Sequence, residues 1–189
     1  MSDDKEHSMH ETAILGGGCF WCLEAVFDLI DGVVEVVPGY CGGHIDVPSY
    51  RDVCTGGTGH AEVVRIVFDP AKVSYRELLD VFFTIHDPTT VDRQGNDVGS
   101  QYRSVIFATS DAQLRTARAT IEELGEQRVF AKAIVTRVER APRFWPAEPE
   151  HHDYYVNNSD QPYCQYVVAP KIAKFRGRFG MRRWPEGSR

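Results

Sequence analysis

At 189 residues with 42% apolar side chains, the chain is long enough for one well-buried core and short for two, so a single domain is expected. A formal net charge of −6 weighs against a surface made for nucleic acid or anionic lipid, and no run approaches the roughly 20 apolar residues of a membrane span. Met1 to Glu11 is acidic, with neither a basic nor an apolar export region, so a cytoplasmic chain is expected, with a flexible N-terminus over 1–11, one domain over 12–175 and a basic, disordered tail over 176–189. In that compartment five irregularly spaced cysteines read as reduced, catalytic or redox-active thiols rather than as a disulfide framework.

In chain order, Thr12 to Leu15 reads as a short apolar strand. Gly16-Gly17-Gly18 follows, and Cys19 opens a helix whose apolar face is Phe20, Leu23, Phe27 and Ile30; Asp31-Gly32 stops it. Val33 to Tyr40 is a β-branched strand, and residues 41–59 form a long glycine-rich loop. His60 to Phe68 alternates as a strand, with Glu62, Val64 and Ile66 on one face. Ser74 and Glu77 form a capping box ahead of a helix to about His86, and residues 89–101 are a second polar loop. Arg103 to Thr109 is a strand, Ser110 caps a helix to about Gln127, and Ala133 to Val138 is a further strand. Beyond Pro142 the chain is aromatic and irregular. The order β-α-β-β-α-β predicts an α/β, two-layer, ferredoxin-like split βαβ sandwich, with a mixed sheet and helices on one face.

Chemistry concentrates at the glycine turn. A thiol at a helix start gains roughly 0.3–1 kcal/mol from the macrodipole, up to about 2 when partly buried, so the dipole lowers its pKa by about one unit. Any larger effect needs a cation, a hydrogen-bond donor or the substrate. Cys19 and Cys22 form a Cys-x-x-Cys, as in thiol-disulfide exchange centres, yet Cys22 also fits a buried structural thiol. No second Cys or His pair stands at the spacing a zinc site needs. Glu62 becomes an acid competent near neutral pH if it faces inward without a cation, and an ordinary edge glutamate if it faces water. Tyr50, Tyr102 and Asp97 lie in the two long loops as candidate polar partners, and Cys164 reads as a loop thiol able to swing to a sulfenic acid, or simply as exposed.

Gly18-Cys19-Phe20-Trp21, Gly39-Tyr40-Cys41-Gly42-Gly43, Pro48-Ser49-Tyr50-Arg51-Asp52-Val53-Cys54, Thr58-Gly59-His60-Ala61-Glu62, His86-Asp87-Pro88 and Arg93 to Ser104 resemble, in order and spacing, peptide methionine sulfoxide reductases of the A type. The resemblance runs from about Ile14 to Tyr166. It implies reduction of methionine S-sulfoxide, free or in proteins, with no prosthetic group and with thioredoxin or another dithiol as reductant; a monomer is expected. It implies Cys19 as nucleophile, Glu62 as acid, Tyr50, Asp97 and Tyr102 around the sulfoxide oxygen, Phe20 and Trp21 as the methyl pocket, and Cys164 as the resolving thiol, with Cys22 as the alternate. Cys22 and Cys41 stand where many members of that family carry glycine and another small residue. Two other readings remain open on residues alone: a disulfide exchanger built on Cys19 and Cys22, and a non-catalytic module binding an anion at the glycine turn.

Overall fold

A computed structural model describes residues 9–180. Its first half follows the expected order: β1 (Glu11–Gly16), α1 (Phe20–Phe27), β2 (Val33–Cys41), α2 (Tyr50–Cys54), β3 (Ala61–Phe68) and α3 (Tyr75–Ile85). Then come a two-residue hairpin, β4 (Arg93–Gln94) and β5 (Asp97–Val98), followed by β6 (Val105–Ala108), α4 (Asp111–Glu126), β7 (Arg137–Arg140) and β8 (Phe144–Pro146). The C-terminal third ends in α5 (Tyr154–Asn157), a wide helical turn (Cys164–Val168) and α6 (Ala169–Phe179).

The sheet order is β7-β6-β1-β3-β2-β8. Its four central strands, taken as first to fourth, lie 4-1-3-2 and are antiparallel throughout, which is the split βαβ pattern expected. β7 adds a parallel edge to β6, and β8 an antiparallel edge to β2, making the sheet mixed. Alternation along the strands sends Ala13, Leu15, Val64, Ile66 and Phe68 into the core shared with α1 and α3. Ile14, Ala61, Val63, Val105 and Phe107 face the other way, under Phe144 and Ala141. Glu62 falls on the α1 side because its register is that of Val64 and Ile66.

The caps agree with the sequence reading. Ser74 and Glu77 form the reciprocal capping box, and Ser110 accepts from the Gln113 amide. Five readings need correction. The first helix ends at Phe27, since the Leu29 and Ile30 amides bond three residues back in a tighter turn that still buries Ile30. The loop over 41–59 contains α2, closed by a second capping box between Ser49 and Asp52, and the loop over 89–101 contains the β4–β5 hairpin. The strand expected at 133–138 begins only at Arg137, because Val135 donates to the Pro88 carbonyl instead of to a ladder; β7 is an edge whose charged residues Arg137, Glu139 and Arg140 are exposed. The tail expected from residue 176 begins inside a helix, since α6 runs through Arg176 and Arg178, while the irregular segment beyond Pro142 carries the short β8 paired with β2. The remainder of the tail, and Met1 to Ser8, lie outside the described residues.

Candidate active site

Cys19 is the N-cap of α1, in extended backbone, and only 6% exposed. The glycines before it are set by close approach. A Cβ on Gly17 would lie 2.9 Å from the Phe82 ring and 3.0 Å from that of His86. Gly18 has φ +93°, and a Cβ there would lie 2.6 Å from Cγ of Gln94. Gln94 is itself fixed, accepting from the Asp87 amide and donating to the Asp87 carbonyl, both at 2.8 Å. His86 bonds the Phe82 carbonyl and the Ser104 hydroxyl, so α3 and the second loop together hold the turn that presents Cys19. On the His86 side of that turn, a groove of about 580 Å³ lined by Lys132, Lys171 and Lys174 contains neither Cys19 nor Glu62.

Glu62 faces inward from β3 and is 1% exposed. Its Oε2 accepts the Phe20 amide, the first free N–H of α1, at 3.1 Å, while Oε1 is buried without a protein partner. Burial raises the Glu62 pKa to about 8 against the opposing pull of that amide, with Asp97 and Cys22 adding to the rise. Cys19 is also pushed well above the ordinary thiol value, first by burial, then by its hydrogen bond with the Cys22 thiol and by the Glu62 charge. The helix start therefore does not yield a resting thiolate. Loss of hydration outweighs the dipole, and both groups hold their protons at neutral pH.

The surrounding wall is aromatic. Phe20 is fully buried, tilted against Tyr40 at 5.8 Å and stacked on Tyr50 at 6.2 Å, so it backs the site rather than facing solvent. Trp21 is partly exposed, lies flat on Tyr154 at 3.7 Å and 5°, and meets Tyr163 edge-on at 5.7 Å. Its indole Nε1–H donates to His151 Nδ1 at 3.1 Å, and the His151 ring packs tilted against Phe20 and Tyr50. Tyr50 is half-buried in α2; its amide donates to Glu148, which also accepts the Tyr40 hydroxyl, and its own hydroxyl donates to the Cys54 thiol. Burial, then the Glu62 charge, raises the Tyr50 and Tyr102 phenols, which places both in reach of that carboxyl's field. Asp97 is half-buried in β5 and accepts the Tyr163 hydroxyl at 2.7 Å.

Sequence reasoning assigned no role to His151, Tyr154, Tyr163 or Glu148. The density of aromatic and acidic side chains after Pro142 was their only signal, and it carries no periodicity. Ligand-type atoms of Glu148, Glu150 and His151 lie within 4.8 Å of one another, with Glu148 and His151 engaged by Tyr50 and Trp21 as described.

All five cysteines are free thiols. Cys19, Cys22 and Cys164 belong to one core, whereas Cys41 sits on the far face of the sheet, where burial raises its pKa to about 12. Cys54 is exposed. Cys164 corrects the sequence reading: it is neither exposed nor in a loop, but fully buried in the wide turn that leads into α6. Cys22 lies beside Cys19, its Sγ 4.0 Å from the Tyr163 hydroxyl, and its pKa is lowered chiefly by the hydrogen bond from the Cys19 thiol.

Residues 11–183 match the family model described as peptide methionine sulfoxide reductase. The chain belongs to that family. It is 58% identical over 169 residues to the peptide methionine sulfoxide reductase MsrA of Chromobacterium violaceum, covering 89% of this chain and 96% of the relative. The structure of Mxr1 from Saccharomyces cerevisiae in reduced form superposes with a TM-score of 0.76 at 37% identity, over 84% of this chain and 91% of that one. Mxr1 in complex with Trx2 matches with a TM-score of 0.54 at 28% identity, over 79% and 87%. The chain is thus an oxidoreductase that reduces methionine sulfoxide, and the disulfide-exchanger and anion-module readings fall away. No helix among the described residues is long and apolar enough to cross a membrane.

Proposed function

We propose that this reductase acts on the S epimer of methionine sulfoxide, free and in proteins, with Cys19 as nucleophile and Glu62 as acid. The supporting observation is the bond from the Phe20 amide to Glu62, which sets a buried, protonated carboxyl one residue from the reactive sulfur. A sulfoxide sulfur is a poor electrophile until its oxygen is protonated or strongly hydrogen-bonded. Glu62 supplies that proton, Tyr50, Tyr102 and Asp97 surround the oxygen, and the aromatic wall of Phe20 and Trp21 receives the methyl group. Cys19 loses its proton as it attacks, so the thiol's high resting pKa is offset by charge developing on the oxygen. The sulfoxide gains two electrons and leaves as the thioether, while the oxygen remains on Cys19 as sulfenic acid.

Cys164 then displaces water from that sulfenic acid to form a disulfide, and an external dithiol, thioredoxin, returns both thiols. Support for thioredoxin is the solved complex of the similar Mxr1 with Trx2. Because Cys164 is buried in a wide helical turn, this step requires that turn to open. The hydrogen bond between the Cys19 and Cys22 thiols favours a second reading, in which Cys22 resolves the sulfenic acid first. All electrons pass through thiols, so the cycle needs no prosthetic group; we place the enzyme in the cytoplasm as a monomer.

A stereospecific assay of the wild type and Cys19→Ser on both epimers tests the first step. We expect turnover of the S epimer alone and none in the variant; turnover of the R epimer alone counts against the proposal. Mapping the disulfide after one turnover without reductant separates Cys19–Cys164 from Cys19–Cys22.

A further inference from the structure

Among the described residues, Glu24 is the one buried carboxylate that the proposed chemistry leaves unused. It lies three residues after Trp21, on the same side of α1, and is 3% exposed. Among the described residues no ion pair reaches it; the charges acting on it are Asp28, one turn on, and Asp153 opposite, both negative. Burial raises its pKa to about 7. An uncompensated buried acid is costly, so its retained contacts carry information.

Those contacts are with backbone. Glu24 Oε1 accepts the Asp153 amide at 2.9 Å, and the carboxylate also accepts the Tyr154 amide. Asp153 precedes α5 in left-handed backbone, at φ 52°, and its own side chain makes no cap. Glu24 therefore supplies from α1 the cap that the 153–154 turn lacks. The adjacent Tyr154 is the ring that lies flat on Trp21. Two side chains one turn apart on a single helix thus grip consecutive residues of the facing segment, one by its amides and one by its ring.

We propose that Glu24 is a positioning residue for the sulfoxide pocket, tying the 153–154 backbone to α1 so that Tyr154 stays stacked on Trp21. It touches no reacting atom; its effect reaches substrate through the Trp21 wall. The inference rests on the reading of Trp21 as part of the methyl pocket.

Single-turnover kinetics over a range of methionine S-sulfoxide concentrations test it. Glu24→Ala should raise the half-saturating concentration about three- to tenfold, the worth of one aromatic stacking contact, and leave the limiting rate within about twofold. Glu24→Gln keeps a carbonyl acceptor and should restore wild-type values. On a Tyr154→Leu background, Glu24→Ala should add nothing further. Glu24→Leu, which keeps volume but removes the acceptor, serves if the alanine variant does not fold. In the wild type, the Asp153 amide should be protected from hydrogen exchange. An unchanged half-saturation, full additivity with Tyr154→Leu, or an unprotected Asp153 amide overturns the role of Glu24. If Trp21→Ala also leaves half-saturation unchanged, the pocket reading itself fails; if only Trp21→Ala alters it, the pocket stands and Glu24 alone is excluded.

Discussion

The amide of Phe20 and the carboxyl of Glu62 meet at 3.1 Å, so Glu62 is attached to the same helix start that presents Cys19. Strand β3 and helix α1 cannot shift relative to one another without breaking this bond. It also explains why Glu62 tolerates nearly complete burial, since one oxygen is satisfied and the proton resides on a carboxyl held out of water.

Removing the proton while keeping the shape should abolish assistance to the leaving oxygen. Glu62→Gln is expected to slow the single-turnover release of methionine by about 10²- to 10⁴-fold, the usual contribution of a positioned acid. A rate within threefold of wild type in that variant would contradict the assignment.

The pH dependence has a determined sign. With a folded-state pKa of about 8, Glu62 carries its proton at neutral pH and loses it above that value. The value of kcat/KM for the sulfoxide should therefore fall on the alkaline side of about pH 8 with a one-proton limb, and the limb should vanish in Glu62→Gln.

Stability should move the same way. Glu62 at about 8 and Glu24 at about 7 bind protons more tightly folded than unfolded, where each lies near the usual carboxylate value. Their contribution is fully present below the unfolded pKa and is lost as pH rises through the folded ones, since the unfolded chain then binds fewer protons. Chemical denaturation at pH 5, 7 and 8.5 should show a declining contribution, and Glu62→Gln should flatten it.

Resolution of the sulfenic acid separates the two remaining thiols. Cys164→Ser should leave the yield of the first turnover intact and stop later ones; Cys22→Ser should do so only if Cys22 is the first resolver. Loss of first-turnover yield in Cys164→Ser would mean that it does more than recycle.

Gly18→Ala combines a φ of +93° with a contact of 2.6 Å to Gln94 Cγ, an atom held by the two bonds between Gln94 and Asp87. We expect a loss of about 1–3 kcal/mol by denaturant titration, together with reduced activity from displacement of Cys19. Gly95→Ala, with nothing within 4 Å, is the matching control for left-handed strain alone.

Local chemistry was legible in the sequence: alternation sent Glu62 to the face of Val64 and Ile66, Ser74 and Ser110 capped their helices, and the order of strands and helices led to the 4-1-3-2 sheet. The facing of Glu62 and the caps depend on neighbours two to four residues away, and the sheet order follows from connecting such local elements in sequence. What followed Pro142 was not legible, because β8 and α5 are too short to show a period and exist only by pairing with β2 or resting on α1. The state of Cys19 was likewise a tertiary matter. A helix start alone favours the thiolate, but burial depends on which distant segments close over the sulfur, and here Tyr50, Tyr102 and Tyr163, all within reach of Cys19, arrive from far along the chain to exclude the water that a charge would need.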